Sequence, residues 1–358
     1  MARTGLRAVR QERIAVLLNA NARSVTESVR NDLARFIPAD DIFYSRSFED
    51  CQSISRQVLE RGYDVVLTGG GDGTFCGFAN TMLDLAGAQT SAGVAGALRL
   101  APERVRLPRF GVLRLGTGNS LADMTGASPK RAGLIEDVLR TQNGEPTDTF
   151  ELRLLDVEGK RAPFAGLGID GLVLNDYIRL KKLVGLGPLQ KLVATSAGYV
   201  VSGVLQTAPR LALSRPVEVE VVNEGEPASQ LAPDGRAVGR PIDRGEVVFR
   251  GKLTLVCAGT VPNYGFGFQI FPFAHKSPGR FQLRLSALSA LGTLGILPQI
   301  WRGQTPKAGV LDFQCDRVRL KFARPMPLQI GGDAEGYRDE LVLGMSPDTV
   351  QLVDFTRR

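Results

Sequence analysis

Six consecutive residues, Gly69-Gly70-Gly71-Asp72-Gly73-Thr74, carry the clearest chemistry in this chain. Glycines leave backbone N–H groups bare, and a run of them before a helix makes a place for an anion, most often a phosphate. Asp72 is the odd member of the run. A carboxylate repels a phosphate unless a cation lies between them, so Asp72 points to a bound Mg²⁺ or to a hydroxyl that must be oriented. The plainer reading is a tight strand-to-helix turn in which the aspartate caps its own loop. A second turn of the same kind, Gly116-Thr117-Gly118-Asn119-Ser120, follows the apolar run Phe110-Gly111-Val112-Leu113-Arg114-Leu115. A third polar turn, Asn19-Ala20-Asn21-Ala22-Arg23, follows Ile14–Leu18.

These turns need a scaffold, and the flanking sequence supplies one. Asp64-Val65-Val66-Leu67 reads as a buried parallel strand, and Phe75, Phe78, Ala79, Met82 and Leu83 recur at helical spacing. Ile14–Leu18 is a first strand, and Val25, Val29 and Leu33 mark a helix after it. Asp41–Tyr44 is a second strand, and Ser53–Glu60 a second helix that stops at Gly62. This strand–helix alternation predicts a doubly wound α/β sheet, which binds ligands at the C-terminal ends of its strands. Two glycine turns on one such sheet would face each other across a crevice. Ala86–Pro108 reads as an extended, partly helical connection. Ser128-Pro129 has the chemistry of a cap followed by a first helical residue, predicting a helix over Lys130–Arg140.

Past Gly144–Asp148 the pattern changes to short alternating strands: Phe150–Val157, Val217–Val222, Val247–Gly259, Phe281–Leu285, Val318–Phe322 and Glu340–Leu343. That pattern predicts a β-sandwich. The expected domains are residues 10–146 and 147–358, with the last strand free to return to the first domain. Tyr177–Leu205 reads as helical, and Lys181, Lys182 and Lys191 among its leucines could line an anionic lipid surface. Asn223–Arg244 reads as an exposed hairpin loop. Ala287–Arg302 is apolar and interrupted by Pro298, and Trp301 at its end suits either core packing or an acyl chain.

Composition narrows the class. Among 358 residues the four cysteines form no CxxC pair, which leaves neither a disulfide framework nor a zinc site. The single histidine, His275, nearly excludes a Ser-His-Asp centre or a His-rich metal site and reads as structural. A net charge of +7 favours polyanionic partners. No aromatic stacking platform accompanies it, so nucleic acid is not expected. The polar start, Met1–Arg13, has no signal-peptide core, and no run is long and apolar enough to span a bilayer. The expected location is cytoplasmic, peripheral to a membrane.

Four motifs in order resemble the diacylglycerol kinase catalytic family, which includes the sphingosine and ceramide kinases. They are Gly70-Gly71-Asp72-Gly73-Thr74, Leu115-Gly116-Thr117-Gly118-Asn119, Gly166-Leu167-Gly168-Ile169-Asp170 and Asp333-Ala334-Glu335. The resemblance covers nearly the whole chain. It implies an α/β nucleotide-binding domain followed by a β-sandwich lipid-binding domain, with ATP and Mg²⁺ as cofactors and a lipid as phosphate acceptor. It implies that Asn19, Thr68, Gly70, Gly71, Gly73, Thr74, Gly116, Thr117 and Asn119 contact the nucleotide. Asp72 is then catalytic and metal-linked, Glu335 the base on the acceptor hydroxyl, and Asp333 a metal ligand. An anionic membrane surface is the implied partner, and a homodimer is left open. Two other classes compete. One is a small-molecule kinase of the NAD kinase type. The other is a binding protein without turnover, motivated by Gly77, Ser120 and Pro278 where the family carries acidic residues.

Overall fold

The computed structural model describes residues 11–22, 24–94, 106–116, 119–145, 148–169, 216–264 and 268–356. The chain divides into two compact units, Met1–Leu152 with Val350–Arg358, and Arg153–Thr349. Thr117, Asp170 and the helix expected over Tyr177–Leu205, with Lys181, Lys182 and Lys191, lie outside the described residues.

The first unit alternates strands and helices. Its elements are β1 (Ile14–Asn19), α1 (Glu27–Leu33), β2 (Ile42–Ser45), α2 (Phe48–Arg61), β3 (Val65–Gly70), α3 (Asp72–Val94), β4 (Arg109–Arg114), α4 (Ser120–Met124) and α5 (Arg131–Gln142). β2, β1, β3 and β4 lie side by side and parallel in that order. β1 and β3 are buried along almost their whole length, as strands covered on both faces must be. Helix ends are set locally. Thr26 caps α1. Ser47 and Asp50 form a reciprocal capping box on α2, and Gly62 ends that helix in the left-handed region at φ 64°. Phe75 on α3 packs edge-on against Phe110 of β4, with ring centroids 5.6 Å apart.

The helical part of the connection expected over Ala86–Pro108 is Ala86–Val94, which continues α3 with no proline to stop it. One local expectation is corrected. Lys130, not Ser128, occupies the N-cap of α5, and the Ser128 amide donates to the Asp137 carboxylate at 2.7 Å.

The second unit is built from antiparallel strands. They are β5 (Thr149–Val157, which starts in the first unit), β6 (Lys160–Ala162), β7 (Phe164–Gly168), β8 (Val217–Asn223), β9 (Ala228–Leu231), β10 (Ala237–Ile242), β11 (Val247–Leu253), β12 (Leu255–Gly259), β13 (Phe281–Ser286), β14 (Val310–Cys315), β15 (Arg317–Ile330) and β16 (Asp333–Val353). One run of strands is ordered β10-β9-β14-β13-β12-β7 and ends on Leu328–Ile330 of β15. The other pairs β11 with β8 and β8 with Val318–Phe322 of β15. β15 serves both. Its register breaks between Lys321 and Met326, where Pro325 and Pro327 remove ladder donors.

Three further readings change. Val247–Gly259 is two strands, not one. Thr254 turns the chain between them and donates its hydroxyl to the carbonyls of Ser286 and Leu288. Asn223–Arg244 is a strand pair rather than a loop: β9 joins β14 and carries β10 at the edge. Ala290–Trp301 forms a helix, α6, that tolerates Pro298 inside it. Ile300 is buried, and Trp301 stands 53% exposed against the Phe268 ring.

Removing the α2 capping box tests this local reading. Ser47→Ala should cost about 1 kcal/mol, read as a lowered urea midpoint at constant slope.

Candidate functional site

The strand order β2-β1-β3-β4 reverses direction between β1 and β3, and ligands of such sheets bind beyond the strand ends at that reversal. Asn19 closes β1 there. Its side-chain amide donates to Thr74 Oγ1 at 2.9 Å, and its oxygen accepts the Asn21 amide at 2.9 Å. The first polar turn is thus tied directly to the glycine loop after β3. Within that loop the Gly71 carbonyl accepts the amides of Thr74 and Phe75, so α3 starts at once. The first-turn amides of Asp72 and Gly73 have no acceptor inside the helix, which is the general property that makes such ends bind anions.

The turn after β4 closes onto the same place. A Cβ on Gly116 would fall onto the backbone of Gly71 and come within 2.7 Å of the Gly70 carbonyl oxygen. Only glycine allows two chains to approach this closely. Asn119 has φ 49°, the left-handed conformation that asparagine tolerates. Its side chain accepts the Gly116 amide at 3.0 Å and donates to the Gly116 carbonyl at 2.7 Å, bracing the turn.

Asp72 bridges the two turns. It is buried, and its two carboxylate oxygens accept the backbone amides of Ser120 (2.9 Å) and Leu121 (3.1 Å), the first residues of α4. One carboxylate therefore sits at the start of α3 and caps α4 as well. Burial pushes its pKa up, against the two amides, which favour the ionised form. Asp123, on the same short helix, pairs with Arg114 at the end of β4. Burial raises the Asp123 pKa, Arg114 opposes this, and the nearby Asp72 charge adds to it. Thr68 lies deeper. It is buried within β3 and donates its hydroxyl to the Gly111 carbonyl at 3.2 Å, inside the sheet.

The second unit holds the other acidic residues singled out by sequence. β15 and β16 join through Gly331 (φ 58°) and Gly332 (φ 92°), a two-residue turn of the hairpin type. Asp333 and Glu335 follow on one face of β16 by strand alternation. A matching turn at Glu158 (φ 55°) and Gly159 (φ 81°) joins β5 to β6. It delivers Lys160, whose ammonium donates to Glu335 Oε2 at 2.6 Å. Arg338 clamps Glu158 with two bonds of 2.7 and 2.8 Å and donates to the Glu335 carbonyl at 2.9 Å. The Arg338 hydrogen bond holds the Glu158 carboxyl below its ordinary pKa. Asp333 stands exposed beside this network.

Residues 13–151 match the family model of the diacylglycerol kinase catalytic domain. The matched segment carries both glycine turns. No curated protein matches the chain. Among solved structures, a candidate diacylglycerol kinase from Bacillus anthracis str. Sterne is 14% identical with a TM-score of 0.62, covering 96% of this chain and 98% of its own. A diacylglycerol kinase structure from the same organism is 12% identical with a TM-score of 0.58, covering 96% and 97%. Both likenesses establish the fold alone: an α/β unit followed by a strand-rich one.

The structure brings Asn19, Gly70, Gly71, Asp72, Thr74, Gly116 and Asn119 together at the C-terminal ends of β1, β3 and β4. Sequence reasoning missed Asp123, Arg114 and Lys160. Asp123 carried a faint signal, an acid one helical turn after Asn119. Lys160 carried none, because its partner is 175 residues away. Among the described residues, no three His, Cys, Asp or Glu side chains are grouped so as to hold a metal by themselves.

Two outcomes test this geometry. Gly116→Ala should destabilise by about 1–3 kcal/mol or more because backbone cannot yield. Gly77→Ala, in the same unit with open space around it, should gain about 0.5–1 kcal/mol. Denaturant unfolding compares them. Separately, the raised Asp123 pKa means the folded chain keeps a proton that the unfolded chain releases. That stability is complete below the unfolded pKa and is lost as pH rises through the folded one. Arg114→Met removes the opposing cation, so carboxyl NMR should show Asp123 titrating at still higher pH, with the loss of stability moved upward and deepened.

Proposed function

We propose that this protein transfers the γ-phosphate of MgATP to a hydroxyl of a lipid: a diacylglycerol, a ceramide or a sphingoid base. The observation that carries the reading is the closure of two glycine turns on each other around Asp72, in a segment of the diacylglycerol kinase catalytic family. The bare first-turn amides of α3 receive ATP phosphate oxygens. The α4 amides engage the Asp72 carboxylate, which lessens its repulsion of that phosphate.

The donor set suits magnesium delivered with the nucleotide. Mg²⁺ is commonly held by one or two carboxylates plus substrate phosphates. Asp72, with Asp123 beside it, would supply the protein's share, and Asp333 is the acid of the second unit closest in sequence to the base. The ion supplies neutralisation of phosphate charge. Glu335 accepts the proton of the lipid hydroxyl as that oxygen attacks the γ-phosphorus in line, and ADP departs with the bonding electrons. Lys160 fixes the orientation of the Glu335 carboxylate. The cationic excess of the chain suits an anionic membrane surface, and no helix among the described residues is long and apolar enough to cross a membrane.

Labelled ATP supplied with diacylglycerol, ceramide, sphingosine and NAD decides the matter. Label should enter at least one lipid, with Asp72→Asn and Glu335→Gln each slower by about 100-fold. Label in NAD alone, label in nothing, or an undiminished Asp72→Asn would overturn the reading.

A further inference from the structure

α6 interrupts a pair of strands that a short turn could have joined. β13 and β14 are antiparallel neighbours, and Ser286 stands opposite Val310 at the end of their ladder. A hairpin needs only about two to five residues there. The chain instead runs through Ala287–Gly309 and builds α6 within it. The sequence of that helix, ALGTLGILPQIW, contains no Asp, Glu, Lys or Arg. A helix at the surface ordinarily sets charged residues toward solvent. Here Gly295, Pro298, Gln299 and Trp301 are the exposed positions among the described side chains.

Both ends of α6 are held by the rest of the unit. Ser289 caps its start by accepting the Gly292 amide. At its other end Ile300 is buried, and the Ile300 carbonyl accepts the Gln269 amide at 3.3 Å. Gly303 then turns the chain at φ 68°, where a Cβ would strike the Gln269 side chain. With Ile300 pointing inward, Trp301 is left 53% exposed, its ring tilted on that of Phe268 with centroids 4.8 Å apart. Charge around this corner is one-sided. From Val247 to Leu311 the chain contains no Asp or Glu. Elsewhere in the unit exposed cations meet acids: Arg240 with Glu246, Arg250 with Glu220, Lys252 with Glu218, Arg338 with Glu158. Arg302 and Lys307 are exposed, and no acid among the described residues pairs with either.

We propose that this corner, Trp301 on Phe268 with Arg302 and Lys307 beside it, docks the second unit onto an anionic membrane surface. A single exposed apolar residue calls for no explanation. An aromatic pair, an uncharged helix and two unpaired cations at one corner do. Tryptophan suits the boundary between bilayer and water, because its ring is apolar and its N–H is polar. Cations beside it gain from anionic headgroups. A second copy meeting the corner about a two-fold axis would instead bring like charges together. The inference rests on the lipid-acceptor reading, in which the substrate lies in a bilayer, and names the element that meets it.

Trp301 is the chain's single tryptophan, so its emission reports on this corner alone. The full chain is mixed with phosphatidylcholine vesicles, with and without phosphatidylglycerol. On the anionic vesicles the emission should shift to the blue, and lipids brominated along their acyl chains should quench it. Arg302→Gln with Lys307→Gln should weaken sedimentation with these vesicles about 10–30-fold, at about fivefold per cation. Trp301→Ala should weaken it about tenfold. All three side chains are exposed, so the variants keep the fold, which circular dichroism checks. Sedimentation with unchanged Trp301 emission would mean that another surface docks, and the inference is overturned. No sedimentation, or equal sedimentation of the parent and the double variant, also overturns it. So does a blue shift that grows with protein concentration without vesicles, the mark of a second copy. Phosphate transfer to vesicle lipid, measured in parallel, separates the two readings. A quenched Trp301 without transfer removes the kinase and keeps the docking corner, and transfer with an unquenched Trp301 does the reverse.

Discussion

Two strand-to-helix turns meet backbone against backbone at the C-terminal ends of β3 and β4, and the Asp72 carboxylate reaches across to fasten them. The approach is set by Gly116, where any side chain would collide with Gly71 and the Gly70 carbonyl. Once the chains are that close, the amides that open α4 lie within 2.9 and 3.1 Å of Asp72. Those amides are orphan donors of a helix N-terminus and would need an acceptor in any case. One acid thereby satisfies a second helix while the first-turn amides of its own helix keep no acceptor within that helix. The carboxylate that looked ill-placed beside a phosphate is turned to a different pair of donors.

The acids of the second unit are positioned by the same kind of constraint, applied through hairpins. Positive φ at Glu158 and Gly159, and again at Gly331 and Gly332, sets two tight turns whose following residues point where strand alternation sends them. Exposed ion pairs contribute little singly. Here the backbone has already fixed the positions, so Lys160 on Glu335 and Arg338 on Glu158 act on geometry more than on stability. The buried Arg284–Asp312 pair is a different case. A hydrophobic replacement would often serve packing as well, whereas removing one partner alone would strand a buried charge.

Much of this was legible beforehand because it is local. Apolar runs followed by polar or glycine turns foretold β1, β3 and β4 and the helices after them. Alternation and turn spacing foretold most of the second unit's strands. The readings that failed did so where a distant partner outweighed local preference. Val247–Gly259 has unbroken strand propensity, yet Thr254 bends to bond β13 and the residues after it. Asn223–Arg244 is polar and turn-rich, yet β14 offers its edge to β9.

By itself, then, the sequence determined the order of elements, the glycine loops and the match of residues 13–151 to a family model, since each depends on residue types within a few positions of one another. Only the tertiary structure decided what those residues touch. It turned Asp72 to the amides of α4, folded the Asn119 amide into its own turn, sank Thr68 into the sheet and brought Lys160 to Glu335. The separations are 48 residues for Asp72 and Ser120 and 175 for Lys160 and Glu335. Periodicity and propensity decay within a helical turn or a strand, and nothing in a local pattern states which distant backbone will supply the partner.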